Sequence, residues 1–63
     1  MNIEKTDTAY MKARKIASHG DVEARRQLAE DKSAPLEILY FLATDEEPWV
    51  RKAVAANPAA PVQ

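Results

Sequence analysis

The chain has 63 residues, 46% of them apolar and 30% charged, with a net charge of −1 and no cysteine. That makes one small domain at most, without a disulfide framework, a thiolate metal site or a general attraction to nucleic acid or anionic lipid. A chain this short buries only about 60% of the surface its unfolded form exposes, so close helix packing, self-association or a partner must support it.

Alanine, the best helix former, fills 12 positions, and only one glycine is present. No run alternates β-branched and polar residues over a strand length, so the reading is all-α over a single domain, residues 1–63. In chain order, residues 1–5 are a frayed lead-in. Thr6, Asp7 and Thr8 are candidate N-caps for a first helix reaching about Ser18, with Tyr10, Ala13, Ile16 and Ala17 on one face. His19-Gly20 ends it, with Gly20 supplying a left-handed closure.

Asp21 caps a second helix, Val22–Glu30, whose apolar stripe is Val22, Leu28 and Ala29. Asp31-Lys32-Ser33-Ala34 is a tight connection. Pro35 then suits the first turn of a third helix running to Ala43, because its missing N–H would have no partner there. Leu36, Ile38, Leu39, Phe41 and Leu42 make this the most apolar segment and the expected centre of the core. The acidic turn Thr44-Asp45-Glu46-Glu47 complements the start of a fourth helix, Pro48–Ala56, with Val50, Ala53 and Val54 inward. Asn57-Pro58 stops it, Asn57 being suited to a left-handed cap.

Two stretches repeat one pattern: ARRQLAEDKSAPL at Ala24–Leu36 and VRKAVAANPAAPV at Val50–Val62. Arg25 matches Arg51, Arg26 matches Lys52, Leu28 matches Val54, Ala29 matches Ala55 and Pro35 matches Pro61, all 26 residues apart. A fixed period of roughly 20–50 residues marks a helical repeat array, in which each unit buries its apolar face against the next. The string LAEDKSAPLEILYFLATDEEPWVRKAVAANPAAP resembles HEAT-like α-solenoid repeats, and more narrowly the bacterial leucine-rich repeat variant. Val50-Arg51, Ala55-Ala56-Asn57-Pro58 and Leu42-Ala43-Thr44-Asp45 match that family's elements, and the likeness covers residues 22–63. The first unit departs from it, with Ala24 for the valine and Glu30-Asp31-Lys32 where the turn would carry Asn-Pro. The resemblance implies short antiparallel helices stacked as a fragment of an α-solenoid, some of them 3₁₀, and a protein-interaction role. The iron–sulfur cluster of some members needs cysteines that this chain lacks, and no other cofactor is expected.

Asp21–Arg25 and Glu47–Arg51 are i, i+4 pairs at the repeat offset, worth about 0.2–0.5 kcal/mol each when exposed, and are expected to form a structural ladder in which each arginine ties one helix start to its neighbour. Lys12, Lys15, Arg25 and Arg26 are the candidate phosphate-tracking patch of an alternative, nucleic-acid-binding reading. With Glu23 and Glu30 nearby, a solvated face is the expected outcome and nucleic acid is not the expected partner. His19 has no second histidine, cysteine or nucleophile to work with, and the run Asp45-Glu46-Glu47 lacks a calcium loop's alternation and glycine, so neither a metal nor a catalytic site is expected. Phe41 is expected in the core, and Trp49 half exposed beside Pro48.

The expected function is therefore that of a non-enzymatic interaction or scaffolding module. Its candidate interface is Tyr40, Trp49, Val50, Val54 and Val62, closed by a partner protein or by a second copy across an uncovered C-terminal repeat face. The first 20 residues lack a secretory apolar core, and no run nears the ~20 apolar residues of a membrane span, so the expected setting is cytoplasmic.

Overall fold

The structure, a computed structural model, describes residues 3–60, with side chains from Ala9 onward. Its four helices are α1 (Ile3–His19), α2 (Val22–Glu30), α3 (Leu36–Leu42) and α4 (Pro48–Ala56), and no strand occurs among the described residues. The expected all-α class holds. No helix among the described residues is long and apolar enough to cross a membrane.

The bounds of α2 and α4 match the sequence reading, and each has a local cause. Asp21 is extended (φ −76°, ψ 176°), and its carboxylate accepts the Ala24 N–H at 2.8 Å, satisfying one orphan donor of α2. Pro48 takes the first position of α4, where a missing N–H costs nothing. The third helix is one residue shorter at each end than expected, because Pro35 is its N-cap (φ −59°, ψ 141°) and Ala43 its C-cap. The first helix starts earlier than expected: Thr6, Asp7 and Thr8 lie inside α1, and so does Ile3–Lys5 of the expected lead-in.

Neither helix-ending residue is left-handed. No residue among those described, glycine included, has a positive φ. Gly20 is needed for space: a Cβ there would lie 2.6 Å from the Ile16 carbonyl oxygen and 3.3 Å from the Ala24 Cβ. Asn57 is extended (φ −82°, ψ 116°), as is Asp31 after α2 (φ −79°, ψ 116°).

The two turns after α2 and α4 repeat bond for bond. Asp31 N–H donates to Leu28 O and Asn57 N–H to Val54 O; Ala34 N–H donates to Asp31 O and Ala60 N–H to Asn57 O. The Asp31 carboxylate accepts the Ser33 N–H, and the Asn57 amide oxygen the Ala59 N–H, both at 2.8 Å. The helices themselves, Val22–Glu30 and Pro48–Ala56, have equal length and the same 26-residue spacing.

These helices run side by side and parallel. Asn57, beyond the end of α4, bonds the carbonyls of Ala29 and Asp31 at the end of α2, while Arg25 in the first turn of α2 bonds Asp45 ahead of α4. Consequently α3 must return between them, antiparallel to both. The core joins Ala13 and Ala17 of α1, Ala29 of α2, Ile38 and Leu42 of α3, and Val50, Ala53 and Val54 of α4. Alanine on α1 and α2 lets the axes approach, and the larger residues of α3 and α4 fill the space between.

Contrary to expectation, α3 is buried on one side only. Ile38, Leu39 and Leu42 are buried, but Leu36, Tyr40 and Phe41 are more than half exposed. With seven residues it has two turns, and only the face toward α1, α2 and α4 finds cover.

Candidate interaction surface

The junction between α2 and α4 is held at both ends by polar groups. At the N-terminal end, Arg25 Nε lies 2.8 Å and Nη2 3.2 Å from the two carboxylate oxygens of Asp45, a fork on a carboxylate. Its Nη1 donates to Gly20 O at 2.7 Å. The two side chains are only 15% and 6% exposed. The hydrogen bond to Asp45 holds the Arg25 pKa above its ordinary value, against the opposing effect of burial. Asp45 also accepts the Glu47 N–H at 2.9 Å, and its carbonyl accepts from Arg51 Nη1 at 2.6 Å.

At the C-terminal end the buried Asn57 amide donates to Ala29 O at 2.8 Å and Asp31 O at 3.0 Å. Ala29 O belongs to the last turn of α2, whose carbonyls have no partner within their own helix, and Asp31 O, on the C-cap, accepts the Ala34 N–H as well.

Arg25 does tie the start of α2 to that of its neighbour, as the ladder requires, but the partners differ from the expected i, i+4 pairs. Asp21 pairs with a backbone N–H and Glu47 shows no side-chain cap bond, so neither reaches the arginine four residues on. Arg25 and Arg51 both turn to Asp45 instead. The local pairs lose because a forked bond to a mostly buried carboxylate is stronger than an exposed pair along one helix. Asp45 is therefore not the solvated helix-start acid expected of it.

The four cations of the alternative reading do not form one free patch. Arg25 is held by Asp45. Arg26 bridges Glu23 at 2.5 Å and Glu30 at 2.6 Å, which raises its pKa and lowers that of Glu23, in both cases chiefly through their mutual hydrogen bond. Lys12 and Lys15 line a shallow groove on α1 with Ile16, His19 and Gly20. On the opposite edge of α1, Glu37 of α3 raises the pKa of the Tyr10 hydroxyl, first by hydrogen bonding and then by its charge.

Of the candidate interface, Val50 and Val54 are 0% and 2% exposed and belong to the core. They sit on the face of α4 that the parallel α2 covers. Val62 lies outside the described residues. Tyr40 and Trp49 are 71% and 63% exposed. Trp49 lines a groove with Arg26 and Glu30 of α2 and Lys52, Ala53 and Ala56 of α4. Phe41, expected in the core, is 52% exposed and borders a groove with Ala17, Ser18, Arg25 and Asp45.

Sequence reasoning missed Leu36, 59% exposed, as a surface residue. The helical wheel places Leu36, Tyr40 and Ala43 on one flank of α3, and Phe41, which borders Ala17 and Ser18 of α1, on the other. The signal was available at the repeat offset. Leu36 lies 26 residues after Tyr10 of α1, and Tyr10 is one of the side chains with which α1 meets α3.

No family model matches the chain, and neither a curated protein nor a solved structure matches it.

Proposed function

We propose that the chain is a non-enzymatic protein-interaction module that presents a helical-repeat surface of HEAT-like kind, in line with the resemblance to the leucine-rich repeat variant. A cytoplasmic setting belongs to the same reading. One observation carries it. Ala29 of α2 is fully buried, whereas Ala55, its counterpart on α4, is exposed. The first unit is covered by the second, and the second turns the same side outward. Large apolar side chains of α3, Leu36 and Tyr40, are exposed as well, and apolar surface of that kind with an aromatic component is what partner proteins bury.

The nucleic-acid reading has less behind it, because two of its four cations are already matched by carboxylates. Photo-cross-linking residues placed singly at Trp49, Tyr40 and Lys12 of the full chain, in the cells it comes from, test the proposal. Capture of one and the same polypeptide from Trp49 or Tyr40, and not from Lys12, is the expected result. Equal capture from all three, or none, removes the reading.

A further inference from the structure

The α2–α4 junction is a template for whatever covers α4. On α2, the receiving groups are the Arg25 guanidinium, the small Ala29 side chain, and the carbonyls of Ala29 and Asp31. Twenty-six residues on, the same groups recur as Arg51, Ala55 and the carbonyls of Ala55 and Asn57. Arg51 and Ala55 are exposed. Among the described residues, Arg51 bonds only the Asp45 carbonyl through Nη1, and the edge of the guanidinium that in Arg25 grips a carboxylate has no partner. Asn57 O accepts Ala60 N–H as Asp31 O accepts Ala34 N–H, and keeps the second lone pair that on Asp31 takes an amide. Leu36 and Tyr40 are exposed on the flank of α3 opposite Phe41, which borders α1.

Building on the interaction-module reading, we propose that this face docks a helix of a partner protein bearing a carboxylate three residues ahead of its first helical residue and a primary amide just after its last. Those are the places of Asp45 and Asn57 around α4. The carboxylate forks onto Arg51, the amide donates to the carbonyls of Ala55 and Asn57, and small apolar residues between them meet Ala55. A second folded copy cannot supply this unit. Its own Asp45 and Asn57 are engaged by its own α2, and the corresponding flanks of α2 carry His19 and Asp31. Asp31 would set a carboxylate against two carbonyl oxygens, where a donor is required.

The test uses the full chain, isotope-labelled and followed through its backbone amides, with an end-blocked synthetic peptide of residues 44–60 as the probe helix. The expected result is saturable binding with shifts centred on Leu36, Tyr40, Arg51 and Ala55. Peptides carrying Asp45→Asn or Asn57→Ala bind about ten-fold more weakly, and so does the wild-type peptide with the Arg51→Glu protein. Ala55→Lys, at an exposed position outside the core, blocks the face if Arg51→Glu fails to fold. The proposal is overturned by an absence of saturable binding or by indifference to all four substitutions. It is equally overturned by shifts at Arg25 and Ala29, which mean exchange with α4 itself, or by a dimer formed through this face without peptide. Failure here with capture from Trp49 intact removes this face and leaves the module reading standing.

Discussion

Asn57 occupies the place after α4 that Asp31 occupies after α2, and the two equivalent residues are bonded to each other, Asn57 Nδ2 lying 3.0 Å from Asp31 O. The same side chain also reaches Ala29 O and accepts Ala59 N–H, so all of its main bonding capacity is used inside the fold. One residue thus closes its own turn and seals the end of the neighbouring helix.

Asn57→Ala removes the side-chain donor from Ala29 O and from Asp31 O, of which Asp31 O keeps the Ala34 N–H, and is expected to cost about 1–3 kcal/mol. Asn57→Asp keeps the acceptor for Ala59 but turns an oxygen toward Ala29 O and Asp31 O, so it is expected to cost more than the alanine change. Urea unfolding of both variants at neutral pH checks the order, and equal midpoints for Asn57→Asp and wild type would contradict it.

Arg25 and Asp45 should show strong coupling across 20 residues of sequence. Arg25→Ala is expected to lower Tm more than Arg26→Ala, although Arg26 has two acidic partners, because those partners are more than half exposed and screened by water. A double-mutant cycle of Arg25→Ala with Asp45→Ala is expected to give a clear interaction energy, and the same cycle with Asp21→Ala close to none.

Gly20 tolerates no side chain without movement. The nearest atom to an added Cβ is the Ile16 carbonyl oxygen, which is backbone and is itself bonded to Gly20 N–H at 2.8 Å. Gly20→Ala is therefore expected to destabilise by about 1–3 kcal/mol, despite the higher helix propensity of alanine. Thermal melting followed by circular dichroism measures it. A stabilised variant would mean that α1 simply extends.

Glu23 supplies a pH-dependent contribution of known sign. Its pKa is lowered in the folded chain from an ordinary 4.5, first by the hydrogen bond from Arg26. A group lowered on folding stabilises above its unfolded pKa, and that contribution is lost as pH falls through the folded value. Stability should therefore decline below about pH 4.5. Glu23→Gln should flatten part of that decline and leave the alkaline limb unchanged. Melting temperatures at stepped pH report both limbs.

The parts of the fold legible in the sequence were those set by local chemistry. Asp21 and Pro48 mark the starts of α2 and α4 because capping and a missing N–H act within one turn. The 26-residue spacing of those helices was visible for the same reason. The tertiary roles were not legible. Asp45 reads as one of three exposed acids, and only folding brings it to Arg25. Asn57 reads as a left-handed cap, whereas its extended backbone frees the side chain to cross to α2. Val50 and Val54 face inward as the apolar stripe of α4 predicts, but they are not interface residues, because the stripe says that one face is buried and not which neighbour buries it. The start of α1 was missed because three polar candidates in a row gave no single stop.

The junction between α2 and α4 has a giving side and a taking side: amide and carboxylate on one, carbonyl and guanidinium on the other. Contacts of this kind join head to tail and do not close about a two-fold axis. Were two molecules to meet about a two-fold axis with their α4 helices parallel, like groups would face each other, positive beside positive and lone pair beside lone pair. The chemistry of one asparagine and one arginine thereby builds direction into the fold.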